Sequence, residues 1–356
     1  MTLRPRSQVR LSASVATAAA ALLVLAGCSG TPEDDDASTI VRTTTAIAGA
    51  SVVGIERDTT TACPAQTPVD PGLAAGGTHL VTHGVGETDV PVDPQRIVVL
   101  DSTAMDSVCA LGLWERVVGA GADEGPTPQP PYLGTGISEI PGIGPAVAPD
   151  VALIAEAQPD LILGSSPASA DLYDRLGEIA PTVFTGSDPV AWKEQFVTAG
   201  SALGRADAAA AALSVYEEEA QTVGTDVDAA QTQASVVRFS PETLSIQGPE
   251  SFAGQVLADT GVRRPSTQRI SPAATEDVTE DIARAEGDIV YVVIGGEASK
   301  KHAETVMTTD AWEELEAAKD RRIFVVEGSV WNGNGLAAAR AILTDLRNTL
   351  NAYSGG

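Results

Sequence analysis

Short apolar segments alternate with helical segments on both sides of one long stretch without a strand pattern, and this arrangement restricts the fold most. Apolar runs such as 97–100 and 289–294 are typical of strands that are buried on both faces. Residues 205–230 contain one Gly, no Pro and many Ala and Glu residues, and they predict a single helix of roughly 39 Å. We therefore expect an α/β fold, with two Rossmann-like lobes joined by a single long helix.

The domain boundaries follow from this alternation of strands and helices and from local composition. The Ser-, Thr- and acid-rich residues 29–46 indicate a solvated tether, residues 58–78 an irregular surface segment, and residues 78–90 a hairpin. Helices are predicted at 279–285 and 311–317 in the second half. The expected division is a signal peptide at 1–27, a tether and N-terminal extension at 28–77, an N-terminal α/β lobe at 78–204, the bridging helix at 205–232, and a C-terminal α/β lobe at 233–352.

The first 28 residues have the layout of an export signal. Three arginines within the first ten residues precede an uncharged run at 15–26, which is too short to span a bilayer. The run ends in Leu-Ala-Gly before Cys28, and this resembles the lipobox of bacterial lipoproteins. The resemblance implies a lipid on Cys28 and a protein held on the outer face of the cell membrane. The alternative is an ordinary signal peptide that happens to contain a cysteine.

The charge balance argues against nucleic acid as a partner. Cleavage before Cys28 would remove three of the 22 basic residues and none of the 48 acidic ones, which leaves a net charge of −29. Such a surface repels polyanions. No other segment of the sequence is long and apolar enough to cross a membrane.

Two cysteines remain once Cys28 carries the lipid. In an exported chain Cys63 and Cys109 are expected to form a disulfide, which would tie the extension to the first lobe. The alternative is a pair of free thiols, with Cys109 buried on the apolar face of a helix.

Signals for catalysis and for metal binding are weak. The sequence has no Gly-x-Ser-x-Gly elbow and no P-loop. A Gly-x-Gly-x-x-Ala match begins at Gly333, but no strand follows it to complete a dinucleotide-binding unit. His79 and His83 would lie about 13 Å apart along a strand, too far apart to share one ion easily. We therefore expect no enzymatic activity, no metal site and no cofactor.

Several short phrases recur in a characteristic order and spacing. Together they resemble the class III substrate-binding proteins of ABC importers, the group that handles iron–siderophores, haem and cobalamin, over roughly residues 78–352. The N-terminal extension, the Cys63 and Cys109 pair and the Gln268-Arg269 dipeptide are most similar to the FecB-like lipoproteins of actinobacteria. The phrases that carry the resemblance lie at 94–100, 110–112, 117–119, 157–163, 179–183, 202–204 and 287–290, with Trp312 and Trp331 near the end.

The resemblance implies a function and partners. We expect a monomeric, lipid-anchored binding protein that captures a ferric siderophore and passes it to an ABC permease in the membrane. Haem is the second candidate ligand for the same fold. A cell-wall interaction or scaffold protein that has lost transport is the alternative from a different functional class.

Candidate binding residues come from the geometry of α/β sheets, in which ligands bind outside the carboxyl ends of the strands. Arg238 is prominent because it interrupts an apolar strand, where a charge needs a partner. We interpret the ligand as the partner of Arg238; the alternative is a salt bridge to an acidic residue inside the protein. For Phe252, a place in the hydrophobic core is as well supported as contact with the ligand. The expected set is Ser102, Thr103, Tyr132, Ser165 and Ser166 from the first lobe, with Arg238, Phe239, Ser251, Phe252 and Trp331 from the second.

Docking to the permease is expected to use one acidic residue on each lobe. In the second lobe Glu280 fits the family phrase. At the corresponding place in the first lobe stands Ala152, so Asp150 is the expected substitute, with Glu156 as another possibility.

Overall fold

The computed structural model describes residues 45–122, 127–167, 169–269 and 275–351. The predicted signal peptide, Cys28 and most of the acidic tether lie outside the described residues. No helix in the described ranges has the length and apolar character needed to cross a membrane.

The described chain begins with two short strands, β1 (Ala46–Ile47) and β2 (Ala50–Val52). An irregular segment leads from them to a hairpin formed by β3 (Thr78–His83) and β4 (Gly86–Pro91). This hairpin agrees with the predicted one. It packs beside the first lobe, where the Gly84 N–H donates to the Phe184 carbonyl at 2.8 Å.

The N-terminal lobe contains a five-stranded parallel sheet in the order β7-β6-β5-β8-β9. Its strands are short, and β5, β8 and β9 are fully buried, as the continuous apolar runs predict. Asp101 caps the first helix by accepting the Ala104 N–H. The elements are β5 (Ile97–Val99), α1 (Ser102–Ala110), β6 (Val117–Ala122), β7 (Gly142–Pro145), α2 (Val151–Glu156), β8 (Leu161–Gly164), α3 (Ala170–Gly177) and β9 (Thr182–Phe184).

Helix α4 (Trp192–Ala202) ends the N-terminal lobe, and the long α5 (Ala206–Asp226) leads from it to the C-terminal lobe. The predicted single long helix is therefore confirmed, although it ends four residues before Ala230. It ends shortly before Asp228, which adopts a left-handed conformation with φ of 48°. One face of α5 is buried through residues such as Leu213, Tyr216 and Val223.

The C-terminal lobe contains a seven-stranded mixed sheet in the order β1-β2-β14-β13-β10-β11-β12. Strands β2, β14, β13 and β10 are parallel, whereas β1, β11 and β12 run antiparallel to their neighbours. Its elements are β10 (Ala234–Phe239), β11 (Leu244–Gln247), α6 (Phe252–Asp259), β12 (Thr275–Asp277), β13 (Ile289–Ile294), α7 (Glu297–Val306), α8 (Asp310–Glu313), α9 (Glu316–Lys319), β14 (Ile323–Glu327), α10 (Gly328–Trp331) and α11 (Leu336–Leu350).

Before the predicted irregular segment at 58–78, β2 pairs with β14 and extends the second-lobe sheet. The structure corrects two expectations about secondary structure. The helix predicted at 279–285 is reduced to one 3₁₀ turn at Ile282–Ala285. The helix predicted at 311–317 is divided into α8 and α9.

The two lobes and α5 share one hydrophobic core. Trp192 packs edge-on against both Tyr216 of α5 and Phe252 of α6. The same cluster includes residues of α1 and of α11, among them Met105 and Ile342. The lobes are therefore joined by continuous packing as well as by the chain.

Candidate ligand-binding site

Helices α1 and α4 contact the start of α11 and the segment that precedes it. Asp106 of α1 is buried and accepts the N–H groups of Ala337 and Ala338 at the start of α11, both at 2.9 Å. The Asn334 side-chain amide donates to the Gln195 side-chain oxygen at 2.8 Å. Because α1 follows β5 and Asn334 follows β14, these contacts join the two lobes on the side where their parallel strands end, and the space between those strand ends is the candidate cleft.

Polar residues at the ends of β5 and β8 form the first-lobe wall. Asp101 accepts hydrogen bonds from the Ser165 N–H at 2.7 Å and from its hydroxyl at 2.8 Å. Ser102 and Thr103 are half-exposed in the first turn of α1, and Ser166 is exposed. The four predicted first-lobe hydroxyls thus lie at the ends of adjacent strands, with the Ser165 hydroxyl donating to Asp101.

Arg238 is the one charged residue of the predicted second-lobe set. It lies near the carboxyl end of β10, and its side chain is exposed although both strand neighbours are buried. Its guanidinium has no hydrogen bond or ion pair within the described ranges, so the internal salt bridge considered above is not formed there. One guanidinium nitrogen lies 4.0 Å from the position that a Cβ on Gly295 would occupy. The charge is therefore solvated and available to a ligand.

Four of the predicted second-lobe residues do not face this cleft. Phe239 is fully buried on the other face of the sheet, against His302 and Trp312. Phe252 packs on Trp192, and the Ser251 hydroxyl caps α6 by accepting the Gly254 N–H. Trp331 is buried in α10, where its indole N–H donates to Asp345 at 2.9 Å. These expectations are corrected: the four side chains support the lobe from inside.

Tyr132 occupies an intermediate position. Its side chain is buried and its hydroxyl donates to Asp106 at 2.8 Å, so this hydroxyl is engaged within the protein. Burial raises the pKa of Asp106, while the N–H groups of Ala337 and Ala338 and the Tyr132 hydroxyl oppose the rise. The Tyr132 ring nevertheless lines a cavity between the extension and the second lobe.

Sequence reasoning missed Arg264, a second arginine of the second lobe. It is 7% exposed, and it donates to the Gln247 carbonyl and to the Gln268 side-chain oxygen. Its Nε and Nη1 atoms and the Gln247 amide nitrogen are buried and have no hydrogen-bond partner in the part of the chain that the structure describes. Burial lowers the pKa of Arg264 to about 10. No pattern distinguishes Arg264 from exposed Arg263 beside it, so the sequence alone does not identify it.

The two predicted docking acids lie on different lobes and are both exposed. Asp150 caps α2 by accepting the Ala152 N–H at 2.9 Å. Glu280 borders a surface depression of about 410 Å³ that Glu242, Asp277 and Asp281 also line. The described ranges contain no group of three side chains able to hold a metal ion.

Comparison with known proteins identifies the family. The model of the periplasmic binding protein family matches residues 97–329. The chain belongs to this family. A curated relative, the probable siderophore-binding lipoprotein YfiY of Bacillus subtilis, is 28% identical over 288 residues, which cover 77% of this chain and 88% of the relative. The petrobactin-binding protein YclQ of Bacillus subtilis is 26% identical over 275 residues, covering 74% and 84%.

Solved structures agree with this assignment. The Staphylococcus aureus SirA structure in complex with staphyloferrin B superposes with a TM-score of 0.67 at 27% identity, covering 77% of this chain and 99% of SirA. The class III binding-protein fold inferred from the sequence is thus confirmed.

Proposed function

We propose that the protein is a lipid-anchored, extracytoplasmic binding protein that captures a ferric siderophore for an ABC importer. The observation that carries this proposal is Arg238, an exposed cation near the carboxyl end of β10 that pairs with no side chain among the described residues of this strongly acidic chain. The relatives named for siderophore binding and the SirA complex support the ligand class.

The arrangement of Arg238 and the first-lobe hydroxyls suits reversible binding of an anionic chelate. Arg238 can donate paired hydrogen bonds to the carboxylate or catecholate oxygens of a ferric chelate. The hydroxyls of Ser102, Thr103 and Ser166 lie at the carboxyl ends of the opposite lobe's strands, where they can donate to further oxygens. The protein performs no bond chemistry in this proposal.

Delivery requires two further features. The lipid on Cys28 would keep the mature protein at the outer face of the membrane, close to its permease. Glu280 and Asp150 are the proposed docking residues, because both are exposed and they belong to different lobes. Relatives that are named lipoproteins support the anchor.

A ligand panel tests the proposal. The mature soluble domain is titrated by calorimetry with ferric citrate, a ferric tris-catecholate, ferrioxamine, haem and cobalamin. We expect saturable one-to-one binding of at least one ferric chelate and no comparable binding of cobalamin. If haem binds preferentially, haem and not a ferric siderophore is the ligand. If no compound of the panel binds, the scaffold alternative is favoured.

A further inference from the structure

The sheet places Arg238 between two uncharged neighbours. Arg238 is paired with Ser245 of β11 on one side and with Val293 of β13 on the other. Paired residues on adjacent strands project from the same face of a sheet, so these two side chains flank Arg238 and neither carries a charge. Glu297 at the start of α7 is exposed, and no ion pair joins it to Arg238 in the part of the chain that the structure describes.

Position 295 lies beside the guanidinium of Arg238. Strand β13 ends at Ile294, and Gly295 begins the short loop that leads to α7. A Cβ on Gly295 would lie 4.0 Å from one terminal nitrogen of Arg238. Apart from the two adjacent residues, the described ranges place no other atom within 4 Å of this Cβ position. A side chain at position 295 would therefore meet Arg238 first.

Neither the backbone nor the packing requires a glycine at position 295. The φ angle of Gly295 lies outside the left-handed region, whereas the next residue, Gly296, has a φ of 99°, which favours glycine. Gly295 is exposed, and a Cβ at 4.0 Å would make an ordinary van der Waals contact. The Ser299 hydroxyl donates to the Gly295 carbonyl at 3.2 Å and holds the loop. What the missing side chain provides is open space beside Arg238.

We propose that Gly295 is a specificity-determining residue of the ligand site. Without a side chain at this position, an anionic group of the ligand can occupy the space beside the guanidinium of Arg238. An aspartate at position 295 would hold its carboxylate directly on Cβ, where it can pair with Arg238 and repel an anionic ligand. The proposal rests on the function proposed above and adds that the group bound by Arg238 is anionic and passes over Gly295.

A matched pair of substitutions tests this role. Gly295→Asp and Gly295→Asn add side chains of the same size that differ in charge. In calorimetric titrations with ferric citrate and a ferric tris-catecholate, we expect Gly295→Asp to weaken binding by about thirtyfold, within the range for loss of a charge-assisted hydrogen bond. Gly295→Asn should weaken it by about threefold or less. Gly295→Ala adds only a methyl group and should keep the affinity within about twofold.

A second measurement does not depend on the ligand. Phenylglyoxal modifies exposed arginine side chains, and peptide mass spectrometry gives the modification rate at Arg238 in each variant. We expect this rate to be about threefold slower in Gly295→Asp than in Gly295→Asn, the scale of an exposed ion pair. Arg263, which is also exposed, is the internal reference and should react at the same rate in both variants.

The two measurements separate this inference from the proposed function. If Gly295→Asp and Gly295→Asn bind the anionic chelates equally, or if Arg238 reacts at the same rate in both, the role of Gly295 is overturned and siderophore capture stands. If the wild type binds neither chelate, capture of anionic chelates fails, and the modification rates alone then decide. A slower rate at Arg238 in Gly295→Asp would support control by position 295, and equal rates would overturn it as well.

Discussion

At the scale of single residues, Arg57 neutralises Asp345 inside the second lobe. The side chains are 9% and 1% exposed, and the carboxylate also accepts the Trp331 indole N–H. Arg57→Met would leave a buried carboxylate without its cation, and we expect a loss of about 3–5 kcal/mol in the free energy of unfolding. Lys319→Met removes an exposed pair with Glu316 and should cost less than about 1 kcal/mol. Urea denaturation of both variants measures the difference, and equal small losses would contradict this account.

His83 gives the protein a pH dependence of known sign. Its Nδ1 atom accepts the Phe184 N–H and its Nε2 atom lies 2.9 Å from the Thr88 hydroxyl. Burial lowers the pKa of His83 below its usual 6.5, with the contact to Phe184 acting in the opposite direction. The unfolded chain therefore takes up the proton first, and stability from this residue falls as pH drops through about 6.5.

The test compares how strongly stability depends on pH with and without His83. The midpoint of urea denaturation is measured at pH 7.5 and pH 5.5 for the wild type and for His83→Gln. We expect the wild type to lose more stability than the variant over this interval. The same loss in both proteins would show that His83 does not contribute.

The site residues show what a sequence can predict at this scale. Arg238 was identified because a charge in an apolar strand is unusual, although the structure exposes it instead of burying it. Phe239 could have been excluded, because successive strand residues point to opposite faces and both cannot line one cleft. Trp331 and Phe252 were misassigned because an aromatic residue near a strand end can turn inward or outward with the same local sequence.

At the scale of elements, the disulfide ties the extension to α1. Cys63 and Cys109 are 46 residues apart, and loop closure of that length contributes about 3–4 kcal/mol in the chain-entropy model. The double variant Cys63→Ala/Cys109→Ala should lose roughly this free energy of unfolding while its far-UV circular dichroism stays unchanged. A thiol assay on the unreduced, denatured wild-type domain should find neither cysteine free. Two free thiols would contradict the bridge.

The accuracy of element prediction varied with the strength of the apolar pattern. The parallel strands and the hairpin were predictable from continuous or alternating apolar residues. Strands β1 and β2 are only two and three residues long, and the pairing of β2 with β14 joins segments that are far apart in the sequence. The helix expected from 279 does not begin there, because the Thr279 N–H and hydroxyl both donate to Asp277 and close a local turn.

At the scale of the whole molecule, the lobes are connected in three ways. They share a hydrophobic core with α5, the Asp106 carboxylate holds the start of α11, and the extension reaches from β14 to the disulfide with α1. We therefore expect only a few degrees of lobe closure when ligand binds. Small-angle X-ray scattering should find the same radius of gyration, within error, before and after saturation. A clear decrease would show that the lobes close as a wide clamp.

The placement of the ligand at Arg238 is tested most directly by calorimetric titration of the wild type and Arg238→Ala with whichever ferric chelate binds. Loss of a charge-assisted hydrogen bond should weaken binding by about 1.5–3 kcal/mol, roughly tenfold to a hundredfold. Arg263→Ala removes another exposed arginine of the same lobe and should leave the affinity unchanged. An unchanged affinity of Arg238→Ala for every chelate that the wild type binds would contradict the proposed site.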